Sequence, residues 1–288
     1  MMGGFFMANI LKGKVVANRI KENIKENVLK LKGEGINPTL GILRVGKNPD
    51  DIAYERSILK NCENVGINGV VYEEKENIST EELIHTLNGL NNDANIHGIL
   101  IFRPLPKHID EKLISNTINP LKDVDCMNPL NLEKIFEGNT DGFAPCTPKA
   151  AMKILEYYDI PLEGANAVVI NRSMVVGKPL SMMLLSKNAT VTICHSRTKG
   201  LSKLTNEADI VVTALGRAKY FGEEYFNENS TVIDVGISLD EEGKICGDVN
   251  TEVVSNIAKN VTPVPGGVGS VTTSILLSHV IVAINNLK

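Results

Sequence analysis

The residues best suited to chemistry lie at 168–181, which read VVINRSMVVGKPLS. An apolar run enters a polar turn, and the turn feeds a helical pattern. That arrangement points unpaired backbone N–H groups and the positive end of a helix at a phosphate. Gly177 allows close backbone approach, and Pro179 suits a first helical turn. A dinucleotide fingerprint opens on glycine, but Asn171 stands there instead. Asparagine enters left-handed backbone conformations more readily than most residues, which makes it a tolerable replacement. The candidate contacts are Asn171, Arg172, Ser173, Val176 and Gly177. On this motif alone, a nucleotide site and an ordinary strand-to-helix turn both stay open.

The next apolar run ends in CHSRT (194–198). NAD-specific folds commonly place Asp or Glu at this point, where the carboxylate binds the ribose 2′-OH. Here there is no carboxylate. His195, Ser196 and Arg197 are donors, and Arg172 sits in the preceding turn. Donors and positive charge suit a 2′-phosphate, so the pattern favours NADP over NAD. The alternative is that Arg197 is only a solvated surface residue.

Periodicity gives the secondary structure that carries these residues. Apolar residues at Val16, Ile20, Ile24, Val28 and Leu31 mark a helix over 15–31. Strands are predicted at 39–45, 69–74 and 97–102. A helix over 52–65 is capped by Asp50 or Asp51, and another opens at Ser79 with Glu82 completing a capping box. The pattern blurs between 122 and 147, where Asn, Gly, Pro and Asp accumulate. Beyond it, helices at 148–158, 177–187 and 200–207 alternate with strands at 167–171, 190–195, 209–215 and 230–236. A long helix over 269–287 follows TPVPGGVGS. Strands alternating with helices imply an α/β fold with parallel sheets covered on both faces. The reading is two α/β domains, the second Rossmann-type. The first spans 7–147 and is completed by the C-terminal helix, 269–288, packing back on it. The second spans 148–268.

Composition narrows the function classes. The formal net charge of −4 offers no basic stripe for a nucleic acid. No apolar run reaches the ~18–20 residues of a membrane span, and 275–284 reads as a buried helix interrupted by Ser278 and His279. The five cysteines are odd in number and widely spaced, with no CxxC pair. They argue against a zinc ribbon or a disulfide framework and for reduced thiols in a cytoplasmic protein. No metal site is expected. Residues 1–6 read as an extension before a natural start at Met7, without the basic region of a signal peptide.

Several stretches occur together and in order: VGKNPDDIAY (45–54), GILIFRPLP (98–106), KDVD (122–125), PCTP (145–148), NRSMVVGKP (171–179), ATVTICHSRT (189–198) and TPVPGGVGS (262–270). In combination they resemble the methylenetetrahydrofolate dehydrogenase/cyclohydrolase family of one-carbon metabolism, from Met7 onward. The resemblance implies a homodimer that binds tetrahydrofolate in a cleft between two domains and an NADP nicotinamide from the second. It implies that Tyr54 stacks on the folate and that Asp125 pairs with the pterin. It places Pro265, Gly266 and Gly267 as a backbone wall near both rings, and Ile237 among the cofactor contacts. By their surroundings alone, Tyr54 could be a core aromatic and Asp125 a turn cap.

The chain departs from the family at two places that matter for mechanism. The family usually carries Lys four residues after the tyrosine, about 400° of helix later and so on one face with it. That position is Ile58. Lys60 and Arg56 lie roughly 200° away from the required face. The family's Gln in GILxQLPLP is Phe102 here, followed by Arg103. Two polar groups have become apolar together, leaving no orphan partner. In the dehydrogenase step a hydride leaves the folate methylene carbon and no proton is abstracted, so positioning can supply most of the catalysis. The cyclohydrolase step needs a tuned base to handle water and protons. The expectation is dehydrogenase activity with weak or absent cyclohydrolase activity. Asn171 for Gly and Ser270 for Pro are smaller departures at expected cofactor contacts. Competing readings are a fully bifunctional enzyme, a folate-binding carrier or regulator without turnover, and an unrelated Rossmann dehydrogenase of a small acid. The last leaves the matches at 45–54 and 122–125 unexplained.

Overall fold

The structure is a computed structural model that describes residues 7–139 and 142–288. The extension expected at 1–6 lies outside the described residues. In chain order the elements begin with β1 (Asn9–Ile10), α1 (Gly13–Gly33), β2 (Thr39–Val45), α2 (Pro49–Val65), β3 (Asn68–Glu74) and α3 (Thr80–Asn92). They continue with β4 (Gly98–Ile101), α4 (Glu111–Thr117), α5 (Pro129–Phe136), α6 (Cys146–Tyr157), β5 (Asn166–Ile170) and α7 (Gly177–Leu185). Next come β6 (Thr190–Cys194), α8 (Leu201–Asn206), β7 (Ile210–Thr213), β8 (Thr231–Asp234) and the hairpin β9 (Ser238–Leu239) and β10 (Ile245–Cys246). The chain ends with α9 (Thr251–Val254), β11 (Asn260–Val261) and α10 (Gly269–Leu287). It divides into two compact units: residues 18–146 with 273–288, and residues up to 17 with 147–272.

The first unit is built on a parallel sheet, β3-β2-β4, in which Leu40 pairs with both Gly69 and Gly98. Strands β2 and β4 are buried almost throughout, as the near-continuous apolar runs TLGILRV and GILI require. Leu43, Leu83, Leu87, Ile99 and Ile114 share one core. The capping box at α3 is present: Glu82 N donates to Ser79 Oγ (3.2 Å) and Ser79 N to Glu82 Oε2 (2.9 Å). Helix α2 starts earlier than the sequence suggested. Its cap is Asn48, not Asp50 or Asp51, and Asn48 accepts from Asp50 N at 2.9 Å. Pro49 has no N–H to satisfy and carries a helical φ, so the helix begins there. Buried Arg44 ties β2 to Glu55 on α2 (2.7 Å) and to Glu73 on β3 (2.9 Å). The blurred stretch holds one short helix, α5, and α4 just precedes it. Asn128 and Asp110 cap them, and both helices are too short to show a clear period.

The C-terminal part of α10 belongs to this unit, where His279 Nδ1 lies 2.7 Å from the Val124 carbonyl. The apolar stretch is longer than the run at 275–284. By length and composition α10 could cross a membrane, with a mean hydropathy of 1.4. Ser274 and His279 are nevertheless fully buried alongside Val271, Leu277 and Val280, as in the core helix of a globular unit.

The second unit carries a six-stranded parallel sheet in the order β1-β11-β8-β7-β5-β6. Counted from β5, the first five strands follow the doubly wound order 2-1-3-4-5, with the switch point between β5 and β7. Residues 9–10, assigned by sequence to the first domain, pair instead with β11 in this sheet. A two-residue strand held by backbone bonds carries no legible alternation. Phe221, Val211, Val232 and Val261 form part of the core on the sheet.

Candidate active site

Ligands in doubly wound folds bind beyond the carboxyl ends of the strands at the switch point. Here Asn171 follows β5 and Ala214 follows β7, and the Asn171 Nδ2 donates to the Ala214 carbonyl at 2.6 Å, closing the gap between the two strands. Asn171 Oδ1 accepts from Ser173 N (2.8 Å) and Gly177 N (3.1 Å). Ser173 Oγ accepts from Val176 N at 3.1 Å. The backbone reason expected for this asparagine is therefore wrong. Asn171 is not among the residues with positive φ; its side chain does the work by stapling the turn. Gly177 is required by close approach, since a Cβ there would overlap the Asn171 carbonyl.

The parallel register pairs Ile170 with Cys194, so the turn at 171–177 and CHSRT leave the sheet side by side. His195 N donates to Thr198 Oγ1 (2.9 Å), and His195 Nδ1 accepts from Arg197 N (3.2 Å). In a neutral ring that leaves the proton on Nε2. Arg172, Ser173, Ser196 and Arg197 are exposed. A cradle that excludes a Cβ, next to exposed donors and guanidinium groups, fits a dinucleotide phosphate.

In the same unit Ile237, Pro265, Gly266 and Gly267 line a cavity of about 230 Å³. Ile237 is 65% exposed. Gly266 has φ 105°, and its carbonyl accepts from Gly13 N at 2.8 Å. Asp234 lines this cavity too, and sequence reasoning missed it together with Asp248. Both carboxylates are buried. Asp248 accepts from Leu215 N (2.5 Å) and Arg217 N (2.7 Å). Asp234 accepts from Gly236 N (2.9 Å), Asp248 N (3.1 Å), Val249 N (2.9 Å) and the Thr213 hydroxyl (3.1 Å). The pair binds the loops after β7, β8 and β10 into one rim. Burial, with the charge of Asp248 adding to it, raises Asp234 to about 6 against the opposing backbone donors. The available signal was the two Asp-containing loops with glycines, DVG (234–236) and GDV (247–249). A Cβ at Gly236 or Gly247 would strike the Asp248 or Asp234 carboxylate, respectively.

The remaining site residues gather in the first unit. Tyr54 on α2 lies with its ring centroid 5.5 Å from that of Phe102, tilted by 34°. Tyr54 is 45% exposed, and its hydroxyl is raised nonetheless. Burial pushes it up to about 12, the charges of Cys146 and Asp125 add to this, and a hydrogen bond with Thr273 opposes it. None of these three neighbours is an amine. Ile58, one turn after Tyr54, is fully buried, and Phe102 is 7% exposed. Arg103 Nη2 donates to Asp125 Oδ2 at 3.1 Å, with both side chains half-buried. Asp125 sits on a rigid turn. Its neighbour Asp123 is buried and accepts from Met127 N (2.9 Å), Asn128 N (2.7 Å) and Asn131 Nδ2 (3.0 Å). Burial raises the Asp123 carboxyl, and those donors oppose the rise. Among the described residues no group of three or more His, Cys, Asp or Glu side chains could hold a metal ion.

A doubly wound parallel sheet with a glycine-tight turn at its switch point and a donor-rich second strand defines a Rossmann-type nucleotide-binding unit, here joined to a second α/β unit with its own polar site. The chain belongs to the tetrahydrofolate dehydrogenase/cyclohydrolase family. Residues 11–125 match its catalytic domain and residues 145–288 its NAD(P)-binding domain. It is 59% identical to the bifunctional protein FolD of Clostridium botulinum over 96% of this chain and 98% of that protein. The crystal structure of the bifunctional enzyme FolD from Campylobacter jejuni superposes with a TM-score of 0.95 at 43% identity, covering 98% of this chain and 100% of that one. The Trypanosoma brucei dehydrogenase-cyclohydrolase, complexed with NADP cofactor and inhibitor, superposes with a TM-score of 0.91 at 31% identity over 98% of each chain.

Proposed function

We propose that this chain oxidises 5,10-methylenetetrahydrofolate to 5,10-methenyltetrahydrofolate with NADP as hydride acceptor, and that it hydrolyses the methenyl product weakly or not at all. In this reading NADP supplies the ring that accepts the hydride, and the protein binds and orients. Asn171, Arg172, Ser173, Val176 and Gly177 form the phosphate turn. His195, Ser196 and Arg197 receive the 2′-phosphate. Ile237 and Pro265–Gly267 flank the cofactor, Tyr54 stacks on the folate, and Asp125 takes the pterin N–H groups. The NADP held by the Trypanosoma brucei relative supports the cofactor. By family resemblance the protein works as a homodimer, and its buried, widely spaced cysteines suit a reducing cytoplasm.

The observation that carries the second half is that Ile58, one turn after Tyr54, is fully buried and that the ring beside Tyr54 is Phe102. Ring opening needs a base to move protons, and neither side chain can hold one. A guanidinium is a poor base, and Arg103 is engaged with Asp125. The second reading, full bifunctionality, is favoured by the name of the Clostridium botulinum relative. Two assays separate them. Reduction of NADP and of NAD on addition of methylenetetrahydrofolate tests the dehydrogenase. Loss of methenyltetrahydrofolate above its uncatalysed rate tests the cyclohydrolase. Brisk enzymatic hydrolysis refutes the loss, and no nucleotide reduction refutes the whole reading. The double variant Ile58→Lys, Phe102→Gln is expected to raise hydrolysis.

A further inference from the structure

The family stretch GILxQLPLP reads GILIFRPLP here, which puts a cation where the pattern has leucine. The structure gives that cation a fixed place. Arg103 leaves the end of β4, and its Nη2 donates to Asp125 Oδ2 at 3.1 Å. Asp125 lies within the turn that Asp123 rigidifies. Both partners are thus anchored by their backbones, and their side chains keep 25% and 30% exposure. One guanidinium nitrogen is committed to the carboxylate. The rest of the planar fork remains as donors, and the carboxylate retains unused lone pairs.

We propose that Arg103 is a specificity-determining residue that joins Asp125 in a single acceptor–donor edge, reading the 4-oxo group of the pterin while Asp125 reads its 2-amino and ring N–H groups. This rests on the folate reading above. The pyrimidinone edge of a pterin presents two donors and then an acceptor. A carboxylate beside a guanidinium presents two acceptors and then a donor, in one plane. Lysine could supply the charge but not the plane. Leucine supplies neither, and leaves the 4-oxo group to water or backbone.

The test compares tetrahydrofolate with its 4-amino-4-deoxy counterpart as competitive inhibitors of the dehydrogenase. An amino group at position 4 turns the acceptor into a donor facing the guanidinium, and it also removes the ring N–H that Asp125 reads, so only the part of the preference that depends on residue 103 reports on Arg103. The wild-type enzyme is expected to prefer the 4-oxo compound by at least about tenfold. In Arg103→Leu the preference is expected to fall at least about threefold below the wild-type value without vanishing, because Asp125 still meets a ring nitrogen without its hydrogen, with the KM for the folate raised and the KM for NADP unchanged. Arg103→Lys, which keeps the charge should the leucine variant fold poorly, is expected to fall between the two. A purely structural role would lower the melting temperature without moving the ratio. The same preference in both variants and the wild type overturns the proposal while leaving the folate reading intact. A wild-type enzyme that neither turns over methylenetetrahydrofolate nor binds tetrahydrofolate overturns both.

Discussion

Asp234 makes stability depend on pH in a direction opposite to ordinary acid denaturation. Its carboxyl ordinarily titrates at 3.8 and is raised to about 6 in the folded protein, chiefly by burial. A raised pKa means that the folded state binds the proton more tightly than the unfolded state. The associated stability is fully present below pH 3.8 and is lost as the pH rises through 6. Taking the two values in the linkage relation, moving from pH 7.5 to pH 5.0 strengthens the fold by about 1.4 kcal/mol through this residue alone. Glu73, Glu82 and Asp240 have lowered values, so their contributions fade only near and below their ordinary range, about pH 4–4.5. Asp123 is raised and acts like Asp234, while His97 is lowered by burial and acts against it. Comparison with Asp234→Asn cancels all of these, because the variant keeps them, and the hydrogen bonds lost to the amide nitrogen shift its stability by an amount that does not vary with pH over this range. Urea unfolding of both proteins at pH 7.5, 6.0 and 5.0 measures the difference. Wild type minus variant should grow by about 1.4 kcal/mol towards pH 5.0, with most of the change below 6. A difference that stays flat, or shrinks, refutes the claim that Asp234 is folded around its proton.

Three further outcomes are expected. Asp123→Ala strips the acceptor from two backbone N–H groups and the Asn131 amide, all buried, and is expected to lower stability by about 3–5 kcal/mol in urea unfolding. Gly177→Ala drives a Cβ into the Asn171 carbonyl and should weaken NADPH binding at least about tenfold in a fluorescence titration, with tetrahydrofolate binding little changed. Ser79→Ala removes one arm of the capping box at the start of α3, a helix that bears none of the candidate site residues. It is expected to cost about 1 kcal/mol in unfolding experiments and to leave turnover unchanged.

Rigid stretches at the candidate sites come from side chains that sequence patterns describe poorly. Asn171 looked like a backbone substitute for glycine and is instead a bridge to Ala214, 43 residues away. Arg103 read in the sequence only as a cation next to Phe102, and it is the partner of Asp125, 22 residues away. Asp234 and Asp248 carried no motif that singled them out, yet they accept backbone N–H groups from three loops.

Features encoded within a turn or two of chain were legible from the residues alone. The strand–helix alternation, the Ser79–Glu82 cap and the shared face of Tyr54 and Ile58 follow from periods of 2.0 and 3.6 and from local hydrogen bonding. So did the glycine-bearing turn after β5, because its demand for a missing Cβ arises six residues from Asn171. Only long-range packing set the pairing of β1 with β11, the Arg103–Asp125 ion pair and the buried acid pair that ties the loops after β7, β8 and β10. Each joins groups distant in the chain, and each depends on burial, which sets what a charge costs and which donors can reach it. Periodicity shows which face of an element is apolar, but it carries no record of which loop that face meets.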